Sequence, residues 1–176
     1  MAGLYCKLDH ERGVWAAPAN KPLQGGVHPI YSITDSQQAK HASINMIREF
    51  PRVGSLPWGA RTLDPNSDMF RYISVRRLFD AVARYIRSTL QTVLSAPNEP
   101  PTWEYVRTAI DTYLSEIWQK GGLQGASAQD GYFVQIGSGI TMSSEDVSRG
   151  LIRVKVGLAA IRPAEFIILV ASQLQE

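Results

Sequence analysis

The stretch Gly150–Ser172, GLIRVKVGLAAIRPAEFIILVAS, constrains the fold more than any other part of the chain. It holds two apolar runs joined across Arg162-Pro163. In the first, Ile152, Val154, Val156 and Leu158 alternate with polar Arg153 and Lys155, the period of a strand buried on one side. The second, Phe166 to Val170, does not alternate, so both of its faces need cover. Either Phe166–Val170 is a central strand of its own domain, or it belongs to a sheet shared with a neighbour.

The remaining chain limits what can supply that cover. A length of 176 residues suits one domain with appendages. Residues 1–43 read as a loop-rich segment applied to a core over 44–176. Ala2–Tyr5 reads as the end of a strand or helix, and prolines and glycines between Gly13 and Pro29 break any periodic structure. Val14 and Trp15 are the residues that can pin this segment to a surface. Thr34 or Asp35 is placed to cap a short helix over Ser36–His41. Ile44–Phe50 and Pro57–Leu63 read as strands around a turn at Pro51–Gly54, with Gly59 and Ala60 marking a close approach of another element. Asp64–Asp68 has turn chemistry, and Phe70–Ile73 reads as a third extended piece.

Two long helices follow. Val75, Leu78, Phe79, Val82, Ile86, Leu90 and Val93 recur at helical spacing behind Ser74 as expected N-cap, and Pro97 stops the run. Trp103, Val106, Ile110, Tyr113, Leu114 and Ile117 form the second stripe, from Pro100-Pro101 to Lys120, with Gly121 as stop signal. Glu104–Arg107 and Glu116–Lys120 are spaced to pair on the wet side. Tyr132–Ile136 reads as a strand, and Ser143 or Ser144 caps one helical turn ending at Gly150. Strands, then two long helices, then strands give an α+β fold: a mainly antiparallel sheet with both helices on one face.

Chemistry is sparse. His10, His28 and His41 lack metal-ligand spacing, and the lone Cys6 forms neither a disulfide framework nor a metal site. Asp9-His10-Glu11 reads as a solvated turn. Gly137-Ser-Gly139 fails as a phosphate loop because Met142 occupies the third glycine position. Neither a nucleophile elbow nor a P-loop motif occurs. No catalytic, cofactor-binding or metal-ligating residue is therefore assigned, no cofactor is expected, and an enzyme is not the reading. The net charge of +2, from 18 basic and 16 acidic residues, is too small an excess to imply nucleic-acid binding. The arginines of the first long helix keep a nucleic-acid-binding α+β domain as the alternative. The sequence has neither an apolar run long enough for a membrane helix nor a signal-peptide pattern at its start.

Four motifs, in order along the chain, carry a resemblance: Gly13-Val-Trp-Ala-Ala-Pro-Ala-Asn20, Trp58-Gly-Ala-Arg-Thr-Leu63, Tyr72-Ile-Ser-Val-Arg-Arg-Leu-Phe79 and Arg162-Pro-Ala-Glu-Phe166. Together they resemble the C-terminal part of contractile tail sheath proteins of phages, pyocins and extracellular contractile injection systems, over about residues 2–172. The chain departs from the family where Gln38-Ala-Lys-His-Ala42 replaces a frequent Asn-Pro turn.

The resemblance implies a structural subunit that polymerises with copies of itself around an inner tube. It implies release by baseplate proteins into a shorter, wider state, with neither membrane nor nucleic acid as partner. It also implies assembly in a bacterial or host cytoplasm, and residence in a phage tail or tail-like particle once mature. In the family this region faces the tube, and terminal arms of neighbours add strands to each other's sheets. Arg153, Lys155, Phe166, Ile168 and Val170 are the expected subunit-interface residues. Sheath proteins are generally longer than this chain, so a fragment is expected.

Overall fold

A computed structural model describes residues 1–41, 43–64 and 66–163. The second apolar run, with Phe166, Ile168 and Val170, lies outside the described residues. In chain order the elements are α1 (Ala2–Glu11), α2 (Asp35–Ala39), β1 (Met46–Phe50), β2 (Gly54–Trp58), α3 (Ile73–Thr92), α4 (Pro100–Gln119), α5 (Ala128–Gly131), β3 (Tyr132–Ile136), α6 (Ser144–Ser148) and β4 (Val154–Leu158).

The α+β reading holds. Among the described residues the strands form two separate antiparallel pairs, β1–β2 and β3–β4. α3 packs on α4, and α4 packs on β3. Leu78, Val106, Ile110 and Leu114 are wholly buried in that seam. Tyr85 and Tyr113 stack across it with ring centroids 3.9 Å apart, and burial raises the Tyr113 hydroxyl pKa.

α4 begins with two prolines in its first turn, where no backbone donor is needed. It ends in a Schellman motif: Gly121 N–H donates to Trp118 O at 2.9 Å and Gly122 N–H to Ile117 O at 2.8 Å. Gly121 takes φ +75°, which lets the chain turn off the helix axis. Trp15 lies across this end. A Cβ on Gly122 would sit 2.7 Å from its ring, and one on Gly13 would sit 2.4 Å from it. Trp15 is thus wedged between two glycines, and Val14 and Trp15 both pack on the core as the sequence suggested.

Several boundaries differ from expectation. Of the two readings of Ala2–Tyr5 the helix is the one observed, and it runs on to Glu11, so Asp9-His10-Glu11 is helical and not a turn. β2 ends at Trp58 instead of running through Leu63. Beyond it Gly59 takes φ +134°, and the Asn45 side chain substitutes for a ladder partner, exchanging two hydrogen bonds with Arg61 backbone at 2.7 and 2.8 Å. The close neighbour that Gly59 signalled is this Asn45 side chain. Phe70–Ile73 yields one bridge, Arg61 to Tyr72, before the chain enters α3. Ser74 is not the cap of α3: Tyr72 occupies that position without a side-chain cap, and Ser74 is buried inside the first turn. Thr34 caps α2 as expected, in a capping box with Gln37.

Candidate subunit interface

The candidate surface is the β3–β4 hairpin. Its register pairs Tyr132 with Leu158, Val134 with Val156 and Ile136 with Val154 on one face. Those six side chains pack into the core. The opposite face carries the pairs Phe133–Gly157 and Gln135–Lys155. This is the alternation read from Ile152–Leu158, and it turns Arg153 and Lys155 outward.

Phe133 is 46% exposed, a large ring on the open side of a sheet. Its ring covers Gly157 so closely that a Cβ there would fall 2.1 Å from it. An aromatic side chain covering a cross-strand glycine compensates for the packing that glycine cannot provide. Lys155 Nζ stands 6.0 Å from the same ring centroid. Arg153 Nη2 lies 3.1 Å from Asp146 Oδ1, and Arg153 O accepts from Thr141 Oγ1 at 2.7 Å. Both basic residues thus have partners within the chain while keeping their outward aspect. Among the described residues no third strand is paired to β3 or β4.

α6 fixes the approach to β4. Ser143 caps it in a capping box with Asp146. The Ser143 N–H, then its hydroxyl, hold the Asp146 carboxyl below its usual pKa range, with Arg153 and Arg149 adding to the effect. A second Schellman motif, Gly150 N–H to Val147 O and Leu151 N–H to Asp146 O, releases the chain toward the strand. Asn98, in the α3–α4 turn, clamps the same corner. Its amide donates to Val147 O and Leu151 O, both at 3.1 Å, and accepts from Trp103 Nε1 at 2.8 Å.

The residues that looked chemical have other roles. Asp9 pairs with Arg77, and the expected surface pairs Glu104–Arg107 and Glu116–Lys120 are present. Gly137-Ser-Gly139 forms a tight turn in which the N–H groups of Ile140, Thr141 and Met142 all point to Gly137 O. Its donors are turned into the loop instead of toward a ligand. Among the described residues no cluster of His, Cys, Asp or Glu could hold a metal ion, and no helix is long and apolar enough to cross a membrane.

Sequence reasoning missed Asn98 and the Asp9–Arg77 pair. The first sits in what reads as a plain turn before two prolines. The second joins residues 68 positions apart, with no local signal.

Comparison with known proteins fits this geometry. The phage tail sheath C-terminal domain model matches residues 65–173. No curated protein matches the chain. Among solved structures, a chain of the PVC sheath complex, an extracellular contractile injection system in its contracted state, is 51% identical with a TM-score of 0.93. The match covers 98% of this chain and 49% of that one. A chain of the anti-feeding prophage baseplate is 48% identical with a TM-score of 0.92, covering 99% of this chain and 49% of that one. A sheath tail protein from Listeria innocua, at 12% identity and a TM-score of 0.55 over 85% of this chain and 39% of its own, shares the fold alone. The chain spans about half the length of the injection-system chains it matches. With the family model matching well over half of its residues, the chain belongs to the phage tail sheath family, in that family's C-terminal domain.

Proposed function

We propose that this chain is the C-terminal part of a contractile sheath subunit, one that polymerises with its own copies around an inner tube, is triggered from a baseplate and shortens to drive the tube through a target envelope. The observation that carries the reading is 51% identity across nearly the whole chain to part of a sheath complex in its contracted state. Subunits of this kind store energy in contacts between copies, so the reading involves neither a cofactor nor a catalytic residue. Assembly takes place in the cytoplasm of the producing cell, and the mature location is the tail-like particle.

Within this proposal, residues 1–43 are a segment applied to a core over 44–176. The Asp9–Arg77 pair and the bonds from Asn20 and Leu23 N–H to the edge of β2 hold it there. The β3–β4 hairpin is the platform, with Arg153 and Lys155 on its outward face and Phe166, Ile168 and Val170 in the run that completes the shared sheet. Open strand edges bind partner strands through main-chain hydrogen bonds, with alternate side chains selecting the partner. The test is Ile168→Asp in the complete gene product, with assembly followed by negative-stain microscopy. Loss of rings and tubes is expected; normal polymers would overturn the role given to that run.

The nucleic-acid alternative draws little from the structure, because Arg76 pairs with Asp80 and Arg77 with Asp9. A salt-dependent shift of labelled DNA at physiological ionic strength would revive it.

A further inference from the structure

Arg61, in the motif Trp58–Leu63, is a half-buried arginine whose backbone is tied at every step. Its N–H donates to Asn45 Oδ1 at 2.8 Å, and its carbonyl accepts from Asn45 Nδ2 at 2.7 Å. On either side, Ile73 N–H donates to Ala60 O at 2.9 Å and Thr62 N–H to Arg71 O at 2.8 Å. Together with the bridge from Arg61 to Tyr72, these bonds seat Arg61 beside the first turn of α3. Ser74, in that turn, lines a cleft of about 1120 Å³ whose wall also includes Trp15, Ile117, Ile161 and Pro163.

Pro163 places the motif Arg162–Phe166 at this wall, and Glu165, outside the described residues, follows two positions later. Two residues span at most about 7 Å, so Glu165 is confined to the neighbourhood of the cleft. A carboxylate there gains most from a cation that is fixed in place and partly shielded from water. The charges of the cleft itself do not supply one: Lys120 pairs with Glu116, and His10, Arg12 and Lys21 are exposed. At the start of α3, Arg71 pairs with Asp68, Arg76 with Asp80 and Arg77 with Asp9. Arg61 meets both conditions, and its planar fork can take two carboxylate oxygens at once.

We propose that the Glu165 carboxylate docks on the Arg61 guanidinium at this cleft, fastening the fourth sequence motif to the second. The run Phe166–Val170 then leaves the subunit from a fixed point beside α3. The pair lies within one chain and does not depend on the sheath reading. Where that reading holds, Arg61 is a positioning residue for the run that joins neighbours.

NMR titration of the Glu165 side-chain carboxyl in the full chain, assigned by its loss in Glu165→Gln, tests the pair. In the wild type the midpoint is expected at least about one pH unit below the ordinary glutamate value of about 4.3. It is expected to return to the ordinary range in Arg61→Gln and to stay depressed in Arg12→Gln and Lys21→Gln. An ordinary midpoint in the wild type, or a depressed one that Arg61→Gln leaves in place, would overturn the proposal. So would a midpoint that follows Arg12 or Lys21 instead. A depression seen only at concentrations where copies associate would give Glu165 to a neighbour and overturn the contact within one chain. Should Arg61→Gln fail to fold, Arg61→Lys serves in its place: it keeps the charge and loses the fork, so a partial rise of the midpoint supports the pair and an unchanged one refutes it.

Discussion

Gly122→Ala tests how the N-terminal segment is fastened to the core. The added methyl would lie 2.6 Å from Ile117 Cγ2 and 2.7 and 3.0 Å from Trp15 Cδ2 and Cε2. Carbon atoms rest at about 3.5–4.0 Å, so the indole or the Ile117 side chain has to retreat by about 1 Å. Trp15 has little room to do so, because its other side lies on Gly13. Overpacking of this kind costs about 1–3 kcal/mol. Alanine lowers the entropy of the unfolded chain, which returns about 0.4–1 kcal/mol. The expected net loss is therefore about 1–2 kcal/mol, or a fall in Tm of about 2–8 °C for a chain of this size.

Urea and thermal unfolding measure this loss directly. Repeating the substitution in a Trp15→Leu background isolates its cause, and a coupling energy of at least about 0.5 kcal/mol is expected. Gly121→Ala serves as the control, since its cost arises from φ +75° and is independent of Trp15. A Gly122→Ala protein as stable as the wild type, or a cost unchanged by Trp15→Leu, would refute the wedge.

Gly157→Ala gives the contrasting case: the Phe133 ring it meets is half exposed and free to swing away, so a stability change below about 1 kcal/mol is expected by urea unfolding. Asn98→Ala removes three hydrogen bonds at a partly wet corner and is expected to cost about 2 kcal/mol, with faster hydrogen exchange in α6. The pKa of Asp146 is depressed in the folded state, so its contribution is complete above the unfolded value of about 3.9 and is lost as pH falls through the folded value. The stability gap between wild type and Asp146→Asn, followed by urea titration, is therefore expected to be flat from about pH 5 to 8 and to close below about pH 4.

What was legible in the sequence was what repeats locally. The stripes of α3 and α4 were visible because Leu78, Val82, Val106, Ile110 and Leu114 recur at helical spacing and fall in one seam. Tyr132–Ile136 and the outward aspect of Arg153 and Lys155 followed from period-two alternation. Gly121 and Gly150 announced helix ends that the Schellman motifs realise. The failures lie where a long-range partner overrides local pattern. Residues 59–63 look like a strand continuation, and Asn45 pairs with that backbone in place of a ladder. The extension of α1 through Asp9-His10-Glu11 was hidden, because Asp9 is held by Arg77, 68 residues away. Ser74 has the chemistry of a cap, but the cap position falls two residues earlier, at Tyr72. As for the candidate surface, alternation shows which side chains face outward and is silent on which backbone edge a neighbour would use.

The most direct measurement is negative-stain electron microscopy of the complete gene product, purified without other components of the particle. Rings or tubes of regular width are expected, because subunits that join through open strand edges complete one another's sheets. A protein that stays monomeric and dispersed at every concentration and salt condition tried would contradict the sheath reading at its centre.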